Sequence, residues 1–317
     1  MVLYHWLNYF YSTQGYFYRY LRFLTPSFIF LTGFVISKVY LSKYTSTGSR
    51  LPKRLAGRGL RLLAMFILLN MAISLFVSDD RYNTGLKFYQ MPPSNMIDIY
   101  IMGNTLVEGG KSAAFYVLVP IGYLLLLSAG LLALRGLHKY VFHVAFILLM
   151  TGVAVLASIG FESSNLEMLA IGLLGVIFGY VPLEKINKVI GHPYVLAVAY
   201  LCYIAALTVW NAIYPLQIVG VLINLTIIYL WGTRGSNSRI IRRQVILLGQ
   251  YSLFGYIAQV AILQLIHRGM RHTDQGFSAL SISFFAAFAF TIMIVVVVDR
   301  ARAKATVVNR LYGAVFS

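Results

Sequence analysis

The chain is 317 residues long, 59% apolar and 15% aromatic, with only 11% charged residues. Soluble domains carry about 25% charged residues, so a water-soluble enzyme, a disordered chain and a fibrous protein are excluded and a polytopic membrane protein is indicated. The net charge of +17 does not point to nucleic acid, because the basic residues sit in short loops between apolar runs, where membrane orientation places them.

The first run, Met1 to Tyr11, is apolar and aromatic. It has no basic region ahead of it, so no cleavable signal peptide is predicted. It is too short to cross about 30 Å of hydrocarbon and reads as the second half of a helix whose first half is lost to a late start codon or a truncated gene model. His5 lies inside it, toward the outer end of that segment. An ionisable side chain at membrane depth is a functional candidate, and an imidazole titrates near neutrality and accepts a proton from an attacking hydroxyl. The alternative is a histidine hydrogen-bonded to a neighbouring helix or wetted at the interface.

Next come apolar runs at 23–41 and 60–78. In the first, Pro26 bends or starts the helix and Gly33 allows close helix approach. Between the two stand Lys53, Arg54, Arg58 and Arg61. Arg54, Arg58 and Arg61 fall on one helical stripe if the helix begins before residue 60. Guanidinium forks match phosphate oxygens, so the stripe suits a multiply phosphorylated cytosolic ligand such as the nucleotide end of coenzyme A; equally, it is the densest topology-setting loop. The outer loop at 79–112 carries Asp79, Asp80, Pro92, Pro93, Asp98, Asn104, Glu108 and Gly109-Gly110. Within it Met96–Val107 is apolar but too short to span, and reads as re-entrant or interfacial.

Further runs follow at 113–134, 139–158, 165–182, 193–211, 215–232, 244–266 and 277–299. Gly172, Gly175 and Gly179 read as a helix-packing seam. Glu162 and Glu167, near an outer helix end, either orient a sugar, act as an acid or are ordinary interface residues. In the 244–266 run, Gln250, Tyr251, Ser252, Tyr256 and Gln259 form a polar set, of which Ser252, Tyr256 and Gln259 share one face. They line a polar cavity or hydrogen-bond across helices. His138, His143, His192, His267 and His272 are weaker candidates, and no cluster has metal-ligand spacing. The one cysteine, Cys202, cannot form an internal disulfide.

With the loops assigned to alternating sides, 19 of the 26 lysines and arginines fall on one side, which the positive-inside rule makes cytoplasmic. The expectation is an all-α transmembrane helix bundle of about ten segments. It forms a single integral-membrane domain over residues 1–317, with both termini cytoplasmic.

In order, these segments resemble the membrane-bound acyltransferase family 3 and its glucan-succinyltransferase-like relatives, together with the heparan-glucosaminide N-acetyltransferase-like proteins. The resemblance rests on Tyr4-His5 followed by an outer loop and on Thr25-Pro-Ser-Phe-Ile-Phe-Leu-Thr-Gly-Phe34, similar to a Phe-x-x-Ser-Gly-Phe stretch with Thr32 in the serine place. It rests also on Arg58-Gly-Leu-Arg61, similar to an Arg-x-x-Arg pair, and on Leu248-Gly-Gln-Tyr-Ser-Leu-Phe-Gly-Tyr256, similar to Leu-Gly-x-x-Ser-x-x-x-Tyr. The similarity spans the chain. Two places depart from the pattern: the basic residue that the family carries about ten positions before its histidine would precede Met1, and Gln259 stands where many relatives have a histidine.

The resemblance implies transfer of an acetyl or succinyl group from a cytosolic acyl-coenzyme A to a hydroxyl of an extracytoplasmic glycan. It implies His5 as the catalytic residue, Arg58 and Arg61, with Arg54 and Lys53 beside them, as the coenzyme-binding set, and no metal. The implied place is the bacterial cytoplasmic (inner) membrane, with membrane lipid, glycan and acyl-coenzyme A as partners and no nucleic acid. The alternative is a non-catalytic protein of the same fold that translocates a glycan or lipid, or serves as an assembly partner.

Overall fold

The computed structural model of the chain describes residues 1–10, 18–41, 50–76, 97–103, 106–107, 111–112, 115–135, 140–182, 184, 193–211, 213–234, 239–270 and 276–316. Their helices are α1 (Val2–Phe10), α2 (Leu24–Val35), α3 (Arg50–Phe76), α4 (Leu118–Arg135), α5 (Val141–Ser158), α6 (Ser164–Gly179), α7 (Pro193–Trp210), α8 (Tyr214–Arg234), α9 (Arg239–Gln250), α10 (Ser252–Gly269), α11 (Phe277–Lys304) and α12 (Thr306–Phe316). A 3-10 turn at Tyr18–Leu21 precedes α2, a π-helical stretch, Ile36–Leu41, continues it, and a π-helical turn lies at Asp98–Met102. Two-residue strands, β1 (Leu106–Val107) and β2 (Lys111–Ser112), pair antiparallel.

Among the described residues, five segments are long and apolar enough to cross a membrane: Arg19–Leu41, Arg50–Ala72, Val141–Ser158, Tyr214–Gly232 and Phe277–Lys304. Leu118–Leu134, Ser164–Gly179 and Tyr194–Trp210 are shorter apolar helices. Their outer faces confirm the composition argument. On α5, Val144, Ile147, Leu148 and Val155 are all exposed, Leu148 by 67%. A contiguous apolar patch of that kind would drive aggregation in water but costs nothing against hydrocarbon.

The chain falls into two compact units, Met1–Leu24 with Val195–Leu216 and Leu222–Ser317, and Thr25–Tyr194 with Gln217–Val221.

In the second unit the packing is set by glycine. A Cβ on Gly33 would strike the Gly172 carbonyl, one on Gly175 the Phe30 carbonyl, and one on Gly179 the Ser37 hydroxyl. The seam expected at Gly172, Gly175 and Gly179 is therefore the contact line of α6 with α2 and its π-helical continuation. A second close approach joins α3 to α4, where a Cβ on Gly59 would stand 2.8 Å from the Gly122 carbonyl. In lipid no hydrophobic force draws helices together, so backbone proximity of this kind supplies the dispersion energy that does. Pro26 lies in the first turn of α2, where its missing N–H costs nothing. It starts that helix rather than bending it, and the Thr32 hydroxyl donates back to the Phe28 carbonyl at 2.9 Å.

The short apolar segment before the strands is held by side chains that donate to its carbonyls, among them one carboxamide. Asn165, 2% exposed, donates to the carbonyls of Ile99 at 3.1 Å and Tyr100 at 2.9 Å, and its Oδ1 accepts from the Tyr116 hydroxyl at 2.6 Å. Ser163 caps α6, accepting from the Leu166 amide and donating to the Ile101 carbonyl at 2.7 Å. Gly103 closes the turn with φ +79°, a conformation that favours glycine, and a side chain there would also collide with the Tyr116 hydroxyl.

In the first unit α1 packs on α10 and α11, α9 and α12 on α11. Tyr203 and Leu207 of α7 are buried with Tyr20, Tyr200, Ile204, Leu216 and Ile223 around them. The 3-10 turn is fastened to the end of α7 by Arg19, which donates to the Thr208 carbonyl at 3.2 Å, and by a 2.9 Å hydrogen bond between the Tyr20 and Thr208 hydroxyls.

Two expected runs differ in extent. The helix expected from residue 60 begins at Arg50, because Pro52 is tolerated in a first turn and the lysine and arginines that follow are good helix formers. The run expected as one span at 244–266 is two helices, α9 and α10, meeting at Tyr251. The amide of Tyr251 still reaches the Leu247 carbonyl at 3.1 Å and its carbonyl the Gly255 amide at 2.7 Å, so the ladder bends rather than ends. Gly249 and Gly255 flank the bend and weaken the helix locally. Asp79, Asp80, Pro92, Pro93, Asn104, Glu108, Gly109, Gly110, His138, His192 and His272 lie outside the described residues.

Candidate functional site

His5 sits in the middle of α1, which is anchored on both neighbours. The Trp6 indole Nε1 donates to the Ser283 hydroxyl of α11 at 2.8 Å, and that hydroxyl donates on to the Leu280 carbonyl at 2.6 Å. One turn later Tyr9 and Phe10 bracket His267 of α10, with ring centroids 5.9 and 5.4 Å away. Trp6 and Tyr9 are buried, so the helix has little freedom to rotate.

The His5 ring meets Tyr4 edge-on at 5.1 Å and Tyr256 of α10 at 5.5 Å. Its Nε2 is buried and has no hydrogen-bond partner among the described residues. Gln259, one turn along α10 from Tyr256, is 4% exposed, and its Nε2 likewise has no partner among the described residues. A buried polar group left unpaired costs about 1–3 kcal/mol. Ser283 and Thr291 of α11, by contrast, both donate to carbonyls of their own helix.

Helical geometry places Gln259 between the contacts of α10 with α1 and with α11. At about 100° per residue, Tyr256 and His267 point in nearly the same direction, toward α1, and Gly255 lies about 100° to one side. A Cβ on Gly255 would meet Val295 of α11 at 3.6 Å, which marks that side as the α11 direction. Gln259 falls about 60° from Tyr256 on the same side, in the wedge between α1 and α11. The expected polar face is thus split. Tyr256 and Gln259 are buried, whereas Ser252, in the first turn after the bend, and Gln250 are exposed.

Tyr251 has a different role. Its hydroxyl donates to Asp299 Oδ1 at 2.8 Å and accepts from Arg302 Nη1 at 2.9 Å. Arg302 also donates through Nε and Nη2 to Asn309 Oδ1 at 3.1 and 3.0 Å, and lies 4.0 Å above the Tyr312 ring. Burial raises the Tyr312 phenol above its usual range, against the opposing pull of Arg302. This clamp ties α12 to the bend; the sequence reading singled out Tyr251 but not its partners. The available signal was an Asp299 and an Arg302 on successive turns past an otherwise uncharged run.

The basic set lies in the second unit. Because α3 begins early, Arg54, Arg58 and Arg61 do share a helical stripe. Lys53, Arg54 and Arg61 are exposed, and Arg58 is half-buried. The Arg58 guanidinium donates to the Tyr40 hydroxyl and lies 5.7 Å from the Tyr40 ring centroid. Arg61 Nε reaches back to the Gly57 carbonyl at 3.3 Å. Close by in chain order, Lys38 donates to the Val181 carbonyl at 3.3 Å. Tyr40 went unread in the sequence because nothing in a π-helical continuation of α2 announces that it meets α3. His5 and the arginines belong to different units, so the structure brings His5 together with Tyr256, and Arg58 with Tyr40.

Comparison of the chain with protein-family models, with curated proteins and with solved structures gave no match.

Proposed function

We propose that the chain is a membrane acyltransferase that moves an acetyl or succinyl group from a cytosolic acyl-coenzyme A to a hydroxyl of an extracytoplasmic glycan. The observation that carries this reading is the unpartnered, buried Nε2 of His5 on a helix held rigid by Trp6 and Tyr9. A neutral imidazole in that state is a base without a client. In the proposed reaction it takes the proton from the glycan hydroxyl as that oxygen attacks the thioester carbonyl carbon. The tetrahedral adduct then expels the coenzyme thiolate, which receives the proton from the imidazolium.

Arg58 and Arg61, with Arg54 and Lys53, would hold the phosphates of the coenzyme. Tyr40 limits the rotation of Arg58, so less entropy is lost when a phosphate engages it. The reading carries ten membrane segments in the bacterial cytoplasmic membrane with both termini cytoplasmic. It is supported by the basic asymmetry of the loops and by the order of the motifs along the chain.

Binding of acetyl-coenzyme A to the full chain in lipid nanodiscs, measured by calorimetry, tests the donor half. The expected result is saturable binding that weakens with salt and falls at least tenfold, about 1.4 kcal/mol, in the Arg58→Ala, Arg61→Ala double variant. Absence of binding in both proteins contradicts the proposal and favours the alternative, a translocator or assembly partner.

A further inference from the structure

The wedge between α1 and α11 contains a second group that the proton transfer leaves unused. Gln259 is almost wholly buried, lies on the side of α10 between its contacts with α1 and α11, and presents an amide nitrogen with no partner among the described residues. A carboxamide nitrogen carries two N–H donors and cannot accept. Buried as it is, its natural complement is an oxygen with lone pairs and no proton of its own. A sugar hydroxyl could satisfy it only by spending an acceptor site, whereas a carbonyl oxygen has nothing else to offer. The adjacent Tyr256 ring against His5 fixes the imidazole close to the same turn of α10.

We infer that Gln259 donates to the carbonyl oxygen of the acyl group, which makes it a second catalytic residue of the proposed site. This rests on the acyltransferase reading and assigns the recognition of the thioester within it. In the step, the hydroxyl oxygen forms a bond to the carbonyl carbon, His5 takes the hydroxyl proton, and the carbonyl π-electrons move onto the oxygen facing the Gln259 N–H. When the C–S bond breaks, those electrons return to the carbonyl and the thiolate leaves with the proton from His5. Donors aimed where negative charge develops act most strongly in a water-poor seam.

The test compares two probes with the full chain in nanodiscs: the ketone analogue of acetyl-coenzyme A in which methylene replaces the thioester sulfur, and ethyl-coenzyme A, which lacks the carbonyl. The wild-type protein is expected to bind the ketone about tenfold more tightly, about 1.4 kcal/mol. Gln259→Met and Gln259→Leu should each bring that ratio close to one while binding ethyl-coenzyme A as before, which also reports that they are folded. A variant that loses both probes is set aside, and the decision falls to Gln259→Glu, which keeps the shape but offers an acceptor in place of a donor and should prefer the thioether. A ratio near one in the wild type, or a ratio preserved in the variants, overturns the role of Gln259 alone. Failure of the wild type to bind either probe overturns the acyltransferase reading beneath it.

Discussion

Two buried carboxamides in this chain have opposite fates. Asn165 is 2% exposed, and its amide and its oxygen have partners in the carbonyls of Ile99 and Tyr100 and the hydroxyl of Tyr116. Gln259 is 4% exposed, and its nitrogen has no partner among the described residues. The first donates to the carbonyls of a short π-helical turn and so helps to hold Asp98–Gly103 in place. The second keeps a buried donor with no partner among the described residues, on the helix whose Tyr256 meets the His5 ring. A satisfied buried amide is accounted for by the fold; one left unpaired costs about 1–3 kcal/mol, which the proposed contact with the acyl carbonyl would offset.

Three substitutions sharpen that contrast. The largest effect is expected from Asn165→Leu, which leaves the Ile99 carbonyl and the Tyr116 hydroxyl to find new partners and should destabilise the protein by about 3 kcal/mol. Thermal unfolding in detergent, with hydrogen exchange localised to residues 97–103, measures it. Tyr251→Phe comes next. It removes both the bond to Asp299 and the bond from Arg302 while keeping the ring, for an expected loss of about 1–2 kcal/mol, seen as a lower melting temperature and faster proteolysis of the helix that begins at Thr306. The smallest and most telling is Gln259→Leu. If its nitrogen has no structural partner, removing it should leave stability unchanged or raise it by about 1 kcal/mol. A loss comparable to that of Asn165→Leu would make the two amides equivalent and erase the distinction.

The sequence made the helical, membrane-suited character of the chain plain, because a charged fraction of 11% leaves no other solvent for faces such as that of Val144, Ile147 and Leu148. The glycine spacing at Gly172, Gly175 and Gly179 was equally legible, since a small residue on successive turns has one main use in an apolar helix. The bend at Tyr251 was not, because hydropathy averages over it while Asp299 and Arg302, far along the chain, hold its side chain. Nor was the contact of Tyr40 with Arg58, which depends on the end of one helical stretch meeting the body of the next helix. Within the site, His5 stood out as an imidazole in an apolar run, and Gln259 was read only as one member of a polar face. That its Nε2 has no partner among the described residues is a property of the helix packing and has no signature in the local sequence.

The central claim is that the imidazole on the first helix is the base of an acyl transfer. Its most direct test is the acyl content of the extracytoplasmic glycan in cells carrying the wild-type chain, His5→Ala, or His5→Gln. Both variants should insert at normal levels and lower acylation by at least a hundredfold, the scale of a lost general base. Acylation that continues unchanged in His5→Ala would contradict the account.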